Sequence, residues 1–255
     1  MDGTMMDFPL TLTPMLERAG KLFPEVEIVT HMPDKSLHRH SFADFHRRAT
    51  QLASALDATG LKRGERVATI MWNSYAHLEI YFAVPCSGGV LHTLNFRLHE
   101  NDIAFIANHA EDRFLIVDDV LLPIYEKIKD KVNFERVFVV SLTGAPIPDG
   151  LENYEEFLSS GPADYSFPEL DENAACGMCY TSGTTGKPKG VAYSHRAMVL
   201  HTFCAGLPDI VGLAQRDVLM PVVPMFHANA WGLAYLAVMV GSKIAFPGPH
   251  MDAES

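Results

Sequence analysis

Val67-Ala68-Thr69-Ile70-Met71, the run Tyr75 to Cys86, and Val90-Leu91-His92-Thr93-Leu94 decide the fold. The first and third are short and apolar, as buried strands are. The middle run follows Asn73-Ser74, which offers a helix N-cap, and it is long enough for three turns. Neighbouring strands joined through a helix must pair in parallel, because parallel partners need a crossover. The same rhythm continues downstream, with a helix over 101–109, a strand over 114–117, a helix over 121–131 and a strand over 137–141. Upstream, Ser41 is an N-cap with Asp44 three residues on. Phe42, Phe45, Ala49, Leu52, Ala53 and Leu56 then recur at helical spacing until Gly60 closes the segment. The fold class is α/β, with parallel sheets flanked by helices.

Residues 1–141 read as a first α/β subdomain. Gly144, Pro146, Pro148, Gly150, Gly161, Pro162 and Pro168 punctuate 142–171, which reads as a connector, and 172–255 reads as the start of a second α/β layer. The apolar strand 244–246 then stands as an open sheet edge, a place for association. With 255 residues, 48% of them hydrophobic, the chain can bury a sizeable core. Its net charge of −11, without a lysine and arginine cluster, argues against a nucleic-acid partner. The longest nearly uncharged run, 228–241, is too short to span a membrane. The N-terminus lacks a basic region followed by an apolar stretch, which predicts a cytoplasmic address. Cys176 and Cys179 form a single C-x-x-C inside an apolar run and read as buried, reduced thiols. His38 and His40 read as solvated surface.

Tyr180-Thr181-Ser182-Gly183-Thr184-Thr185-Gly186-Lys187-Pro188-Lys189-Gly190 combines glycines, hydroxyls and two lysines. Glycines let backbone N–H groups approach phosphate oxygens, hydroxyls add donors or a magnesium ligand, and lysine supplies charge. Gly186-Lys187 is followed by Pro188, so this is no Walker A loop. Pro188 and Gly190 break the chain before the strand-like Val191-Ala192-Tyr193, and a loop between two strands is expected.

This loop resembles the signature of the adenylate-forming, or AMP-binding, superfamily. Pro224-Met225-Phe226-His227-Ala228-Asn229-Ala230-Trp231-Gly232 resembles the next block of that superfamily in its medium- and long-chain fatty acyl-CoA ligase branch, and Leu94-Asn95-Phe96-Arg97-Leu98 fits it too. The resemblance implies activation of a fatty acid by ATP to acyl-AMP and transfer to coenzyme A. It places Thr181, Ser182, Gly183, Thr184, Thr185, Gly186, Lys187 and Lys189 around the phosphates, with Thr184 as the Mg²⁺ ligand and the role of Lys187 less defined. It places His227 beside the reacting carbonyl as the catalytic residue and Trp231 at the acyl tunnel. By residue type alone, His227 and Trp231 read as core. Similar enzymes continue into adenine, ribose and second magnesium blocks and a small C-terminal domain with a lysine, none of which occurs in these 255 residues. The chain is therefore expected to be an N-terminal portion that is inactive alone. A non-catalytic module, a homodimer, and a ligase for aromatic or short-chain acids stay open.

Overall fold

The Ser41 hydroxyl accepts from the Asp44 amide, and the Asp44 carboxylate accepts from the Ser41 amide, so the expected capping box starts a helix at Phe42. Gly60, at φ +75°, takes the left-handed position that ends it. The computed structural model describes residues 3–181 and 188–251. In chain order the elements are α1 (Thr13–Leu22), β1 (Glu27–His31), β2 (Leu37–Ser41), α2 (Phe42–Ala58), β3 (Arg66–Ile70), α3 (Tyr75–Cys86), β4 (Val90–Thr93), α4 (Glu100–His109) and β5 (Asp112–Asp118). There follow α5 (Leu122–Ile128), β6 (Arg136–Val140), β7 (Glu152–Asn153), α6 (Tyr154–Ser159), β8 (Ala175–Thr181), β9 (Lys189–Ser194), α7 (His195–Ala205), β10 (Val218–Leu219), α8 (Leu233–Val240) and β11 (Lys243–Phe246).

Seven strands form one sheet in the order β7-β6-β5-β3-β4-β8-β9, parallel throughout except for the antiparallel β8–β9 pair. Four form another in the order β10-β11-β1-β2. The sheets do not divide the chain at 142 and 172. The segment 142–171 adds β7 to one edge of the large sheet, and β8 pairs with β4 in that same sheet. The second sheet instead joins β10 and β11 to the N-terminal hairpin β1–β2. The edge expected at 244–246 is absent, because β11 pairs in parallel with β1 on one side and β10 on the other. Its backbone groups are satisfied within the sheet.

The helix α3 runs between these layers and every one of its residues is buried. That includes two polar side chains, which the core must satisfy. His77 Nε2 lies 3.1 Å from Thr69 Oγ1 and its Nδ1 lies 3.1 Å from the Trp72 carbonyl; burial pushes its pKa down to about 3. Glu79 accepts from Arg48 Nε at 2.6 Å, from a second Arg48 nitrogen at 3.1 Å and from the Tyr154 hydroxyl at 2.8 Å, which ties α2, α3 and α6 together. His38 and His40 also depart from expectation. Both are half-buried, with His38 stacked on Tyr75 at 4.2 Å, and burial takes His40 down to about 3. The C-x-x-C thiols of Cys176 and Cys179 are free and buried, and burial raises both, Cys176 to about 12, which fits the inert reading. Among the described residues no helix is long and apolar enough to cross a membrane.

Removing Arg48 leaves the Glu79 carboxylate buried without its cation. Arg48→Ala is expected to cost about 3–5 kcal/mol in urea unfolding, and pairing Arg48→Met with Glu79→Leu to recover most of it. A loss below about 1 kcal/mol for Arg48→Ala, as for a surface pair, would show that the network does not hold the helices.

Candidate functional site

The hairpin β8–β9 carries the glycine- and hydroxyl-rich loop at its tip. Tyr180 pairs with Gly190 and Thr181 with Lys189, so the two ends of the loop stand side by side, both Thr181 and Lys189 exposed. Ser182, Gly183, Thr184, Thr185, Gly186 and Lys187 lie outside the described residues. Gly190 is explained by its partner. A Cβ there would come 3.0 Å from Tyr180 Cζ, so the Tyr180 ring lies across the space that a side chain would fill. The Tyr180 hydroxyl sits 2.7 Å from His109 Nδ1 at the end of α4, and its ring rests 5.2 Å from His92. His92 Nδ1 in turn lies 2.8 Å from both carboxylate oxygens of the buried Asp112.

The second segment, 221–232, crosses the carboxyl ends of β3, β4 and β8 and is held there by buried side chains. Asn73, fully buried after β3, accepts from the Met225 amide at 2.7 Å and donates to the Pro221 and Val223 carbonyls at 2.8 and 3.0 Å. The Tyr81 hydroxyl donates to the Met225 carbonyl, and Thr93 donates to the Phe226 carbonyl at 3.3 Å. From Ala228 to Trp231 the backbone is left-handed at four consecutive non-glycine residues, with φ of 44°, 49°, 48° and 56°, before Gly232 at 73°. L-residues pay roughly 1–2 kcal/mol each for that conformation, so the surroundings must hold it. His201 Nε2 lies 3.0 Å from the Trp231 carbonyl, and a Cβ on Gly232 would collide with the His201 ring at 2.8 Å.

The turn places the two singled-out side chains outside the core. His227 is exposed, and Trp231 is 61% exposed; the core reading by residue type fails for both. His227 lines a cavity of about 340 Å³ together with Thr181, Pro188, Asn95 and Asp102. Trp231 lines an adjoining cavity of about 460 Å³ with Met198, Ala197 and Asn229, and Tyr193 and Ala228 wall both. One space thus opens beside the loop and the other is largely apolar. Arg97, quoted in the sequence only as part of the segment Leu94 to Leu98, lies over Phe226 and Trp72 at 5.5 and 5.9 Å. Asn229 and Tyr180 were also not legible as site residues; the only signal for Asn229 was the tolerance of asparagine for left-handed backbone.

A family model described as AMP-binding enzyme matches residues 16–255, and the chain belongs to that family. It is 48% identical over 253 residues to the long-chain-fatty-acid–CoA ligase of Thermus thermophilus, covering 99% of this chain and 46% of that protein. It is 43% identical over 260 residues to the medium-chain-fatty-acid–CoA ligase of Ectopseudomonas oleovorans, covering 100% and 47%. A 3-methylmercaptopropionyl-CoA ligase of Ruegeria lacuscaerulensis is 41% identical over 261 residues, covering 100% and 48%. The chain spans about half the length of the curated relatives it matches. In fold it is similar to the anthranilate CoA ligase AuaEII in complex with anthranoyl-AMP, with TM-score 0.84 at 23% identity over 97% of this chain and 47% of that one. It is likewise similar to a long-chain-fatty-acid-CoA ligase (FadD1) from Archaeoglobus fulgidus, with TM-score 0.81 at 24% identity over 94% and 48%.

If Tyr180 is what requires glycine at 190, Gly190→Ala is expected to cost about 1–3 kcal/mol by overpacking, and much less in a Tyr180→Ala background. Equal costs in the two backgrounds, measured by denaturant unfolding, would assign Gly190 another role.

Proposed function

We propose that this chain supplies the phosphate-binding loop and the acyl wall of an AMP-forming fatty acyl-CoA ligase. The observation that carries the reading is the shared cavity: Thr181 and Pro188 at the mouth of the loop face the same space as His227, and the apolar space beside Trp231 opens next to it. A carboxylate is a poor electrophile. Its oxygen attacks the α-phosphorus of ATP, pyrophosphate leaves, and the acyl-AMP that results is open to the thiol of coenzyme A, which displaces AMP. The chain's part is to place anions against one another and offset their repulsion.

Thr181, Ser182, Gly183, Thr184, Thr185 and Gly186 offer hydroxyl and backbone N–H donors to the β- and γ-phosphates, with Lys187 and Lys189 adding positive charge. In a chain of net charge −11 that charge has to be local. Among the described residues no three His, Cys, Asp or Glu side chains converge on a metal. Thr184 is the proposed Mg²⁺ ligand, its hydroxyl acting beside phosphate oxygens, the kind of oxygen donors that Mg²⁺ takes. Bound there, Mg²⁺ would neutralise charge on the phosphates. His227 orients the carboxylate, and the alkyl chain lies along Trp231. The named activities of the relatives favour a fatty acid; the Ruegeria relative supports a short thioether acid as the second reading. The localisation proposed is cytoplasmic.

The test is AMP formation from ATP and Mg²⁺ with a series of carboxylic acids, short to long, in the protein as its gene encodes it. Thr184→Ala is expected to lower adenylation by roughly 10²–10³-fold, the usual effect of losing one such contact, with unfolding unchanged. Unaltered pyrophosphate release in that variant would remove Thr184 from the site. A preference for short acids would replace the fatty acid reading with the second.

A further inference from the structure

The left-handed turn between His227 and Trp231 has one polar side chain inside it, and that side chain points into the protein. Asn229 is 2% exposed. Its Oδ1 accepts from the Cys179 thiol at 3.1 Å, and the same sulfur lies 3.7 Å from Thr93 Oγ1. Its Nδ2 is buried and finds no partner among the described residues. A Cβ on Gly177 would come within 3.3 Å of that nitrogen. Gly177 and Cys179 are two apart on β8 and so face the same way. Together they form a seat, with a notch where a side chain is missing and a thiol beside it. This gives the C-x-x-C segment a use that its chemistry as a redox pair did not.

What the seat holds is a backbone that would not hold itself. Ala228, Ala230 and Trp231 have no side-chain reason to be left-handed; asparagine and glycine do. Within the run, the Ala230 amide returns to the His227 carbonyl at 3.0 Å and His201 meets the Trp231 carbonyl, but neither fixes the turn against β8. Asn229 does, two residues along the strand from Thr181, where the phosphate loop begins. Toward the loop the turn presents His227; toward the apolar cavity it presents Trp231.

We propose that Asn229, seated on Gly177 and Cys179, is a positioning residue that sets Trp231 and His227 relative to Thr181 at the end of β8 and so determines which acids the apolar cavity accepts. The link to acid choice rests on the ligase reading; the positioning itself does not. Asn229→Gly separates the two contributions of asparagine, because glycine keeps the left-handed backbone available and removes the seat contact.

The experiment incorporates fluorinated tryptophan and assigns its fluorine NMR signals by their loss in Trp231→Phe and Trp72→Phe. Trp72, packed on Phe96 beyond the end of β3, lines neither cavity and reports the fold. In Asn229→Gly the Trp231 signal is expected to shift and broaden without ligand while that of Trp72 stays in place. If Trp72 moves as well, Cys179→Ala and Cys179→Ser decide: loss of the donor should move Trp231, and a hydroxyl donor should restore it. A Trp231 signal unmoved in these variants overturns the proposal. In the same variants the KM for long acids should change several-fold against that for short ones, with the KM for ATP unchanged. An equal fall in kcat/KM for every acid would mean a merely structural residue and overturn the specificity claim. Absence of AMP formation by the parent with every acid rejects the ligase reading, and the NMR result then judges the positioning alone.

Discussion

Asn73 makes the contact on which the rest of the site depends. It is a buried side chain at the carboxyl end of β3 that spends both of its donors and an acceptor on the backbone of a segment some 150 residues away, binding the Met225 amide and the Pro221 and Val223 carbonyls. Its own carbonyl accepts from the Gly248 amide at 3.1 Å. Backbone groups of an irregular segment cannot be buried unless something pairs them, and here no strand or helix is available to do so. One amide side chain replaces them. Without it, the wall that carries His227 has no reason to lie across the sheet.

That wall meets the sheet where parallel strands deliver their loops. Ligands of open α/β sheets bind beyond the carboxyl ends of the strands, and β3, β4 and β8 all end here, giving Asn73, Asn95 and Thr181 in turn. The insertion of β8 next to β4 is what brings Thr181, where the glycine- and hydroxyl-rich segment begins, to this end, and the antiparallel return of β9 puts Lys189 opposite it. Tyr180 then fastens the hairpin from its other face, through His109 and over Gly190. Tyr193 and Ala228 wall both the cavity beside His227 and the apolar one beside Trp231.

Much of this was legible in residue patterns and some could not have been. The alternation from Val67 to Ser141 marked the strands and helices between those residues to within a few positions, because apolar periodicity there is strong and local. The helix expected over 121–131 is shorter, Leu122–Ile128 with a tighter turn at each end, where Pro123 and charged residues weaken the pattern. The strands β1 and β2 carry Glu27, His31, His38, Arg39 and His40, too polar to read as strands from hydrophobicity. Sheet membership was hidden for a different reason: nothing local in Ile244 or Cys176 says which distant strand it pairs with, so β11 passed for an edge and β8 for a new layer. The loop 180–190 suggested phosphate binding by its composition, whereas the block 224–232 was readable only through its resemblance to the AMP-binding superfamily. The left-handed turn did not, since alanine and tryptophan give no sign of it. For Ser182 to Lys187 the sequence reading stands as a proposal, as these lie outside the described residues.

The position of β11 between β10 and β1 has a consequence for synthesis. The hairpin β1–β2 emerges early from the ribosome, yet β1 gains its second neighbour only once translation has passed Phe246. Contacts so far apart in sequence close slowly, because the intervening loop entropy must be spent first. Through that interval β1 presents unpaired amides and carbonyls, the kind of edge that recruits other nascent chains. Glu27 and Arg39, among the polar residues that obscured this hairpin as a pair of strands, are charges of the kind that blunt such an edge.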